Sequence, residues 1–278
     1  MKQKGKKKRL DNLLQQQNPD LSRSRIQSEI MAGRVLINGV VCDKPGAQIE
    51  EKAEIKCLKP DNPYVSRGGL KLDGALEDLS LDVKGLIVLD VGASTGGFTD
   101  CLIKKGAHLV IALDVGYGQL DYSLRNNPAV VNMERFNVRY LKPDDLPHLP
   151  DLAVLDVSFI SLKKVLPVLQ NIKVPAILAL IKPQFEVGRA DAAKNKGVIR
   201  DPELHATVIR NIVDFSKDLG YSCKGLACSR LTGPKGNLEY FIYLITGKNN
   251  AGLNQDRCSH DISGLVERAH LKHGHKEN

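Results

Sequence analysis

Gly85-Leu86-Ile87-Val88-Leu89-Asp90-Val91-Gly92-Ala93-Ser94-Thr95-Gly96-Gly97-Phe98-Thr99-Asp100 is the stretch that decides the fold. It reads as an apolar run closed by an acid, then a loop of small residues, then the start of a helix. Ile87, Val88, Leu89 and Val91 are β-branched or bulky, as a strand buried on both faces requires. The small residues from Gly92 to Gly97 let a backbone approach a ligand closely, at a place where helix N–H groups point outward. The spacing is not the dinucleotide G-x-G-x-x-G, and no Lys-Ser/Thr pair follows as in a phosphate-binding P-loop.

Outward from this joint, apolar runs alternate with helical patterns, with strands expected near Leu86–Val91, Leu109–Asp114, Ala129–Asn132, Leu152–Val157 and Ala176–Ile181. Such alternation predicts an α/β domain with a parallel sheet covered by helices on both faces. Cys223–Leu231 and Leu238–Thr246 read as an antiparallel pair at one sheet edge. Ligands of open α/β sheets bind beyond the carboxyl ends of the strands, where strand order reverses. Asp114 closes the second strand and can accept hydrogen bonds from both hydroxyls of a ribose. Glu134 and Asn137, after the third strand, are candidates for the wall of an adenine pocket.

The chain has 278 residues, 42% hydrophobic and 26% charged, enough for one large domain and one small one. No apolar run approaches the roughly 20 residues that span a bilayer. The basic start has no apolar stretch behind it and does not read as a secretion signal. Six scattered cysteines without a C-x-x-C pair suggest neither a zinc site nor a disulfide framework, so reduced thiols and a cytoplasmic location are expected. Net charge is +8, and residues 1–60, with 13 Lys/Arg and 7 Asp/Glu, carry +6 of it. A positive end on a nearly neutral body is the electrostatic footprint of a polyanion binder.

Within that basic end, Leu10, Leu13 and Leu14 have helical spacing, and Asn18-Pro19 stops the helix. Ser22 can cap a second helix running to about Ala32, with Gly33 as its stop. Arg23 and Arg25 lie in its first turn, against the helix dipole, which points to an anionic ligand rather than to helix stability. Asn38-Gly39 between Val35-Leu36-Ile37 and Val40-Val41 is a strong hairpin signal. Lys44-Pro45-Gly46 makes another turn, and Ile49 to Cys57 supplies further strand. Residues 7–58, with Arg9-Leu10-Asp11, Ser22-Arg23-Ser24-Arg25 and Gly33-Arg34-Val35-Leu36-Ile37-Asn38-Gly39, resemble the S4-type RNA-binding domain. The resemblance implies docking of structured RNA through phosphates, with Arg9, Arg23, Arg25 and Arg34 as contacts, joined by Arg67 beyond the linker.

A strand ending in Asp90-x-Gly92-x-x-x-Gly96-Gly97-Phe98 resembles the nucleoside-binding loop of S-adenosylmethionine-dependent methyltransferases. Asp90, Gly92, Ala93, Ser94, Thr95, Gly96, Gly97, Phe98 and Asp114 are then cofactor candidates, with Glu134 and Asn137. Four further polar residues fall at element ends: Lys71 after Ser66-Arg67-Gly68-Gly69-Leu70, Asp156 after the fourth strand, Lys182 after the fifth and Glu239 at the last strand. With Tyr64–Leu72, Asp114–Leu120 and Asp156–Leu162, they resemble the TlyA/haemolysin A family over about Lys8 to Thr246. The catalytic half of that family resembles FtsJ-type RNA 2′-O-methyltransferases and their Lys-Asp-Lys-Glu tetrad. Lys59 to Pro63, with two prolines, an Asp and an Asn, reads as a linker, and the resemblance implies an S4-type domain at 1–58 and a Rossmann-like methyltransferase domain at 64–247.

It further implies ribose methylation of ribosomal RNA, with cytidine as the base and ribosomal subunits as partners. A ribose hydroxyl is a poor nucleophile, so alignment and proton removal fall to the protein. Lys182 is expected to face the 2′-hydroxyl as general base or as stabiliser of the developing alkoxide. Lys71 nearby would favour a neutral amine there, and Asp156 and Glu239 would oppose that, with the outcome open. In-line methyl transfer needs no metal. A membrane-active haemolysin and a non-catalytic ribosome-assembly factor are the competing readings. Residues 248–278, with four of the seven histidines, read as a polar tail, disordered or carrying a short capping helix.

Overall fold

The structure is a computed structural model that describes residues 7–19, 21, 23–31, 33–57, 62–188, 195, 197–246 and 261–274. Contacts divide the chain into two units, residues 1–61 and 62–278.

In the first unit, β1 (Lys7–Arg9) leads into α1 (Leu10–Gln17) and α2 (Arg23–Met31), followed by β2 (Val35–Ile37), β3 (Val40–Val41), β4 (Gln48–Glu50) and β5 (Ile55–Cys57). The hairpin forms as expected: β2 pairs antiparallel with β3, and Asn38 and Gly39 take positive φ of 49° and 81° in the two-residue turn. β5 pairs with β2 on its other side. β1 pairs antiparallel with β4, so the end of the basic run is a strand. Leu10, Leu14, Ile26, Ile30 and Val35 form a small separate core. Ser22, Ala32 and Lys59 fall outside the described residues, as do Cys258, His260 and His275.

The second unit opens with α3 (Arg67–Asp78), β6 (Ile87–Val91), α4 (Gly97–Lys104), β7 (Leu109–Leu113), α5 (Tyr122–Arg125), β8 (Val130–Met133) and β9 (Leu152–Leu155). It continues through α6 (Leu166–Ile172), β10 (Ala176–Ile181), α7 (Pro183–Glu186), α8 (Pro202–Asp218), β11 (Tyr221–Cys228), β12 (Tyr240–Thr246) and α9 (Ile262–Gly274). One seven-stranded sheet has the order β11-β12-β10-β9-β6-β7-β8. β10, β9, β6, β7 and β8 run parallel, and β12 is antiparallel to both β10 and β11. The last strand therefore inserts beside β10 and leaves β11 at the edge, a placement that depends on long-range pairing. Chain order reverses between β6 and β9, so their carboxyl ends open the crevice where a ligand of such a sheet sits.

Both faces of the sheet are covered by apolar side chains, one set centred on Leu89, Leu155 and Ile242, the other on Val88, Val154 and Phe241. Fully burying each such side chain contributes about 1.5–3 kcal/mol. The polar tail contains more structure than its composition suggests. Ile262, Val266 and Ala269 of α9 are buried in the core shared with α8. Cys42, Cys57, Cys101 and Cys228 are free, whereas Cys223 is disulfide-bonded, a correction to the expectation of thiols throughout.

Candidate active site and its relatives

The loop after β6 is shaped by close approaches. Gly92 has φ of +87°, and a Cβ there would stand 2.6 Å from the Asp156 carbonyl oxygen. A Cβ on Gly97 would collide with Ser66 Oγ, so α4 begins directly against the segment preceding α3. That segment is tied down: Val65 N donates to Asp100 Oδ2 at 2.9 Å, and Lys104 Nζ donates to the Pro63 carbonyl at 2.6 Å. With α3 packed on α4, Lys71 lines the same cavity as the loop.

Asp90 stands beneath this loop rather than in it. It is fully buried and accepts a hydrogen bond from Thr99 Oγ1 at 2.6 Å. Burial pushes its carboxyl up to about 7, against the Thr99 hydrogen bond and with help from the charges of Asp156 and Asp114. Asp114 is held differently. Ser94 N donates to its Oδ2 at 2.8 Å and Gly116 N to its Oδ1 at 2.7 Å, which fixes the carboxylate at the crevice.

Two cavities meet at Gly92, Ser94 and Asp156. One, of about 560 Å³, is lined by Asp114, Gln119, Asn137, Val138, Ser158 and Phe159 among others. Its neighbour, about 520 Å³, is lined by Arg67, Lys71, Ala93, Thr95, Gly97 and Phe98, with the Thr232–Gly236 loop opposite. Asp114 and Asn137 therefore share one wall. Gly96 lines neither cavity, because Leu120 and Leu124 occupy the space beside it. Glu134 lines neither cavity too. Backbone N–H groups of Gly118 and Leu120, with the Arg125 guanidinium 2.7 Å away, hold its carboxyl below the usual range against burial. These bonds tie Glu134 to the 118–120 backbone.

The four tetrad candidates form two ion pairs. Lys71 Nζ lies 2.5 Å from Glu239 Oε2, and Lys182 Nζ lies 2.6 Å from Asp156 Oδ1. Lys71 and Asp156 line the cavity, while Glu239 and Lys182 stand behind them, 1% and 8% exposed. Buried charges of this kind are tolerated because they are paired. Lys182 Nζ also donates to Ser158 Oγ at 2.9 Å. α7, which follows Lys182, fixes the adjoining loop: Glu186 accepts from Ser161 Oγ at 2.6 Å and from Leu162 N at 2.8 Å. Ser158 and Gln119 were missed as site residues, since a lone Ser or Gln in a loop carries no spacing signal.

In the first unit, Arg9 and Arg23 are both bonded to Asp11, and Arg34 is ion-paired with Glu29. The side chain of Arg25 lies outside the described residues.

A parallel sheet whose reversal point carries a glycine loop, a fixed acid on the second strand and two cavities defines a nucleoside-binding α/β enzyme. The comparisons narrow this class: the chain belongs to the FtsJ-like methyltransferase family, whose model matches residues 64–246, and carries an S4 domain at residues 8–55. It is 44% identical over 236 residues to the 16S/23S rRNA (cytidine-2′-O)-methyltransferase TlyA of Mycobacterium tuberculosis, covering 83% of this chain and 88% of that one. It is 40% identical over 242 residues to Hemolysin A of Brachyspira hyodysenteriae, covering 85% and 99% respectively. A solved structure from Streptococcus thermophilus, provisionally named a hemolysin, has 40% identity and a TM-score of 0.73, covering 97% of this chain and 98% of that one.

The chain is thus a methyltransferase, and S-adenosylmethionine is its cofactor. The residues present fit that group: a close-approach glycine turn, an acid with oriented lone pairs for ribose hydroxyls, and an adjoining cavity with charged walls. No described helix is long and apolar enough to cross a membrane.

Proposed function

We propose that the chain is a ribosomal RNA (cytidine-2′-O)-methyltransferase acting in the cytoplasm on ribosomal subunits. The observation that carries this reading is the convergence of Lys71–Glu239 and Lys182–Asp156 at the cavity beside the glycine turn. Relatives named for ribose methylation of rRNA and the S4 domain supply the substrate class.

When bound, S-adenosylmethionine supplies an activated methyl group on a cationic sulfonium. Asp114 would hold the ribose hydroxyls, Asn137 and Val138 the adenine, and the Gly92–Phe98 turn the amino-acid end. Asp156, which lines the cavity, and Ser158 hold the Lys182 amine directly behind that wall. Ion-paired in this way, Lys182 stabilises the alkoxide as the 2′-hydroxyl proton departs; to accept that proton it must first pass its own to a neighbouring base. Lys71, restrained by Glu239, presents its ammonium at the same wall, where its N–H groups can donate to developing negative charge on the ribose oxygen. Arg9, Arg23, Arg25, Arg34 and Arg67 would grip phosphates.

Tritiated-donor labelling of ribosomal subunits from a strain lacking this enzyme, followed by nucleoside digestion, tests the reading. Label is expected in 2′-O-methylcytidine. Label on a base would refute it.

A further inference from the structure

The most tightly bonded carboxylate of the first unit belongs to Asp11, which the assignment above does not use. Asp11 is the second residue of α1 and is wholly buried. Its Oδ1 accepts from Arg9 Nε and from Asn12 N, both at 3.0 Å. Its Oδ2 accepts from Arg9 Nη2 at 2.9 Å, Gln27 Nε2 at 3.0 Å and Arg23 Nη2 at 3.2 Å. The Arg9 guanidinium hydrogen bond, with those of Gln27 and Arg23, holds the Asp11 carboxyl well below the usual range in spite of burial. It is therefore charged at every working pH.

The exposure of the partners runs the other way. The side chains of Arg9 and Arg23 are 45% and 58% exposed, while that of Asp11 is 0% exposed. A pair that served stability alone would gain little from half-exposed arginines. One buried negative charge faces two cations, so the cluster keeps a net charge of +1 at the surface. Arg9 engages Asp11 through Nε and Nη2, which leaves Nη1 free of Asp11, and Arg23 uses one nitrogen. The remaining N–H groups of two heads held side by side match the oxygens of a phosphate. Gly46 flanks the Arg9 head and contributes no side chain to cover it; a Cβ there would stand 3.6 Å from Nη1 and Nη2.

We infer that Asp11 is a positioning residue that organises Arg9 and Arg23 into a two-guanidinium clamp for a backbone phosphate of the RNA substrate. This rests on the RNA-binding reading of those arginines above. Rotamer freedom of two long side chains is surrendered on folding, so less is lost on RNA binding. The opposite consequence of the same ion pairs is competition, in which Asp11 neutralises arginines that RNA would otherwise attract. The sign of one substitution separates the two.

The test measures the Kd of ribosomal subunits lacking the modification, as a function of KCl, for the wild type and four variants of the full chain. Asp11→Asn keeps the shape and removes the charge. It is expected to raise Kd about 5- to 20-fold near 0.1 M salt and to lower the slope of log Kd against log salt by about 1, one phosphate contact. KM for subunits should rise with kcat unchanged. Asp43→Asn removes a charge from an exposed site of the same unit and should not raise Kd. Added to Arg9→Ala/Arg23→Ala, Asp11→Asn should cost nothing further. Tighter or unchanged binding by Asp11→Asn would overturn the inference, as would an equal loss in both backgrounds, the mark of general damage to the domain. Were Arg9→Ala/Arg23→Ala to bind like the wild type, the RNA-contact reading itself would fall, whatever Asp11→Asn did.

Discussion

The two units handle charge in opposite ways. In the large unit, Lys71–Glu239 and Lys182–Asp156 are drawn in as one-to-one pairs, with both acids and both amines mostly out of water. In the small unit a single buried acid serves two arginines whose heads remain wet. The first arrangement fixes geometry at the expense of net field; the second keeps net positive field and fixes only direction. The contrast teaches that pairing alone does not reveal a residue's role. What distinguishes reaction chemistry from polyanion docking is which partner is buried and whether charge is left over.

The comparison breaks most readily at the buried pairs. Asp156→Asn or Glu239→Gln leaves an amine without its carboxylate, and methyl transfer to ribosomal subunits should fall about 10²- to 10³-fold. Subunit Kd should stay within about threefold, which filter binding checks. A comparable loss of binding would show that these charges serve docking after all. The reverse pattern is expected for Arg9→Ala/Arg23→Ala. There Kd should rise about tenfold or more and the salt slope should fall by about 1, with the rate at saturating subunits unchanged.

A smaller effect sharpens the contrast within the large unit, where Asp90 is buried with a hydroxyl rather than a cation for company. Its folded-state value of about 7 exceeds the ordinary 3.8, so its contribution to stability is complete below pH 3.8 and is lost as pH rises through 7. Asp90→Asn is therefore expected to raise Tm at pH 8 by a few degrees, on the order of 1–2 kcal/mol. The advantage should shrink steadily toward pH 4. Melting curves across that range check it, and a constant offset would mean that Asp90 is ionised throughout.

Much of this was legible in residue order because the physics was local. Buried parallel strands need uninterrupted apolar runs, and Leu109–Leu113, Leu152–Leu155 and Ala176–Ile181 show them. The turn at Asn38-Gly39 follows from its two residues alone. Other features depend on partners far along the chain. The insertion of β12 between β10 and β11 is set by hydrogen-bond pairing that no period reveals. Glu134 read as an adenine contact because it follows a strand, yet its oxygens are occupied by Arg125 and loop amides. The helix at Ile262–Gly274 was one of two expectations for the polar tail, and the spacing of its buried Ile262, Val266 and Ala269 decides between them. The division of the four charged residues into two pairs, one member of each behind the other, required the coordinates.

On the proposed mechanism the amine of Lys182 acts on the ribose oxygen and not on cofactor binding. The most direct measurement compares wild type with Lys182→Ala in single-turnover labelling of unmodified subunits, with calorimetric S-adenosylmethionine affinity measured alongside. The rate should fall by about 10³-fold or more, with cofactor Kd within about threefold. Ribose labelling that proceeds at the wild-type rate in Lys182→Ala would contradict it.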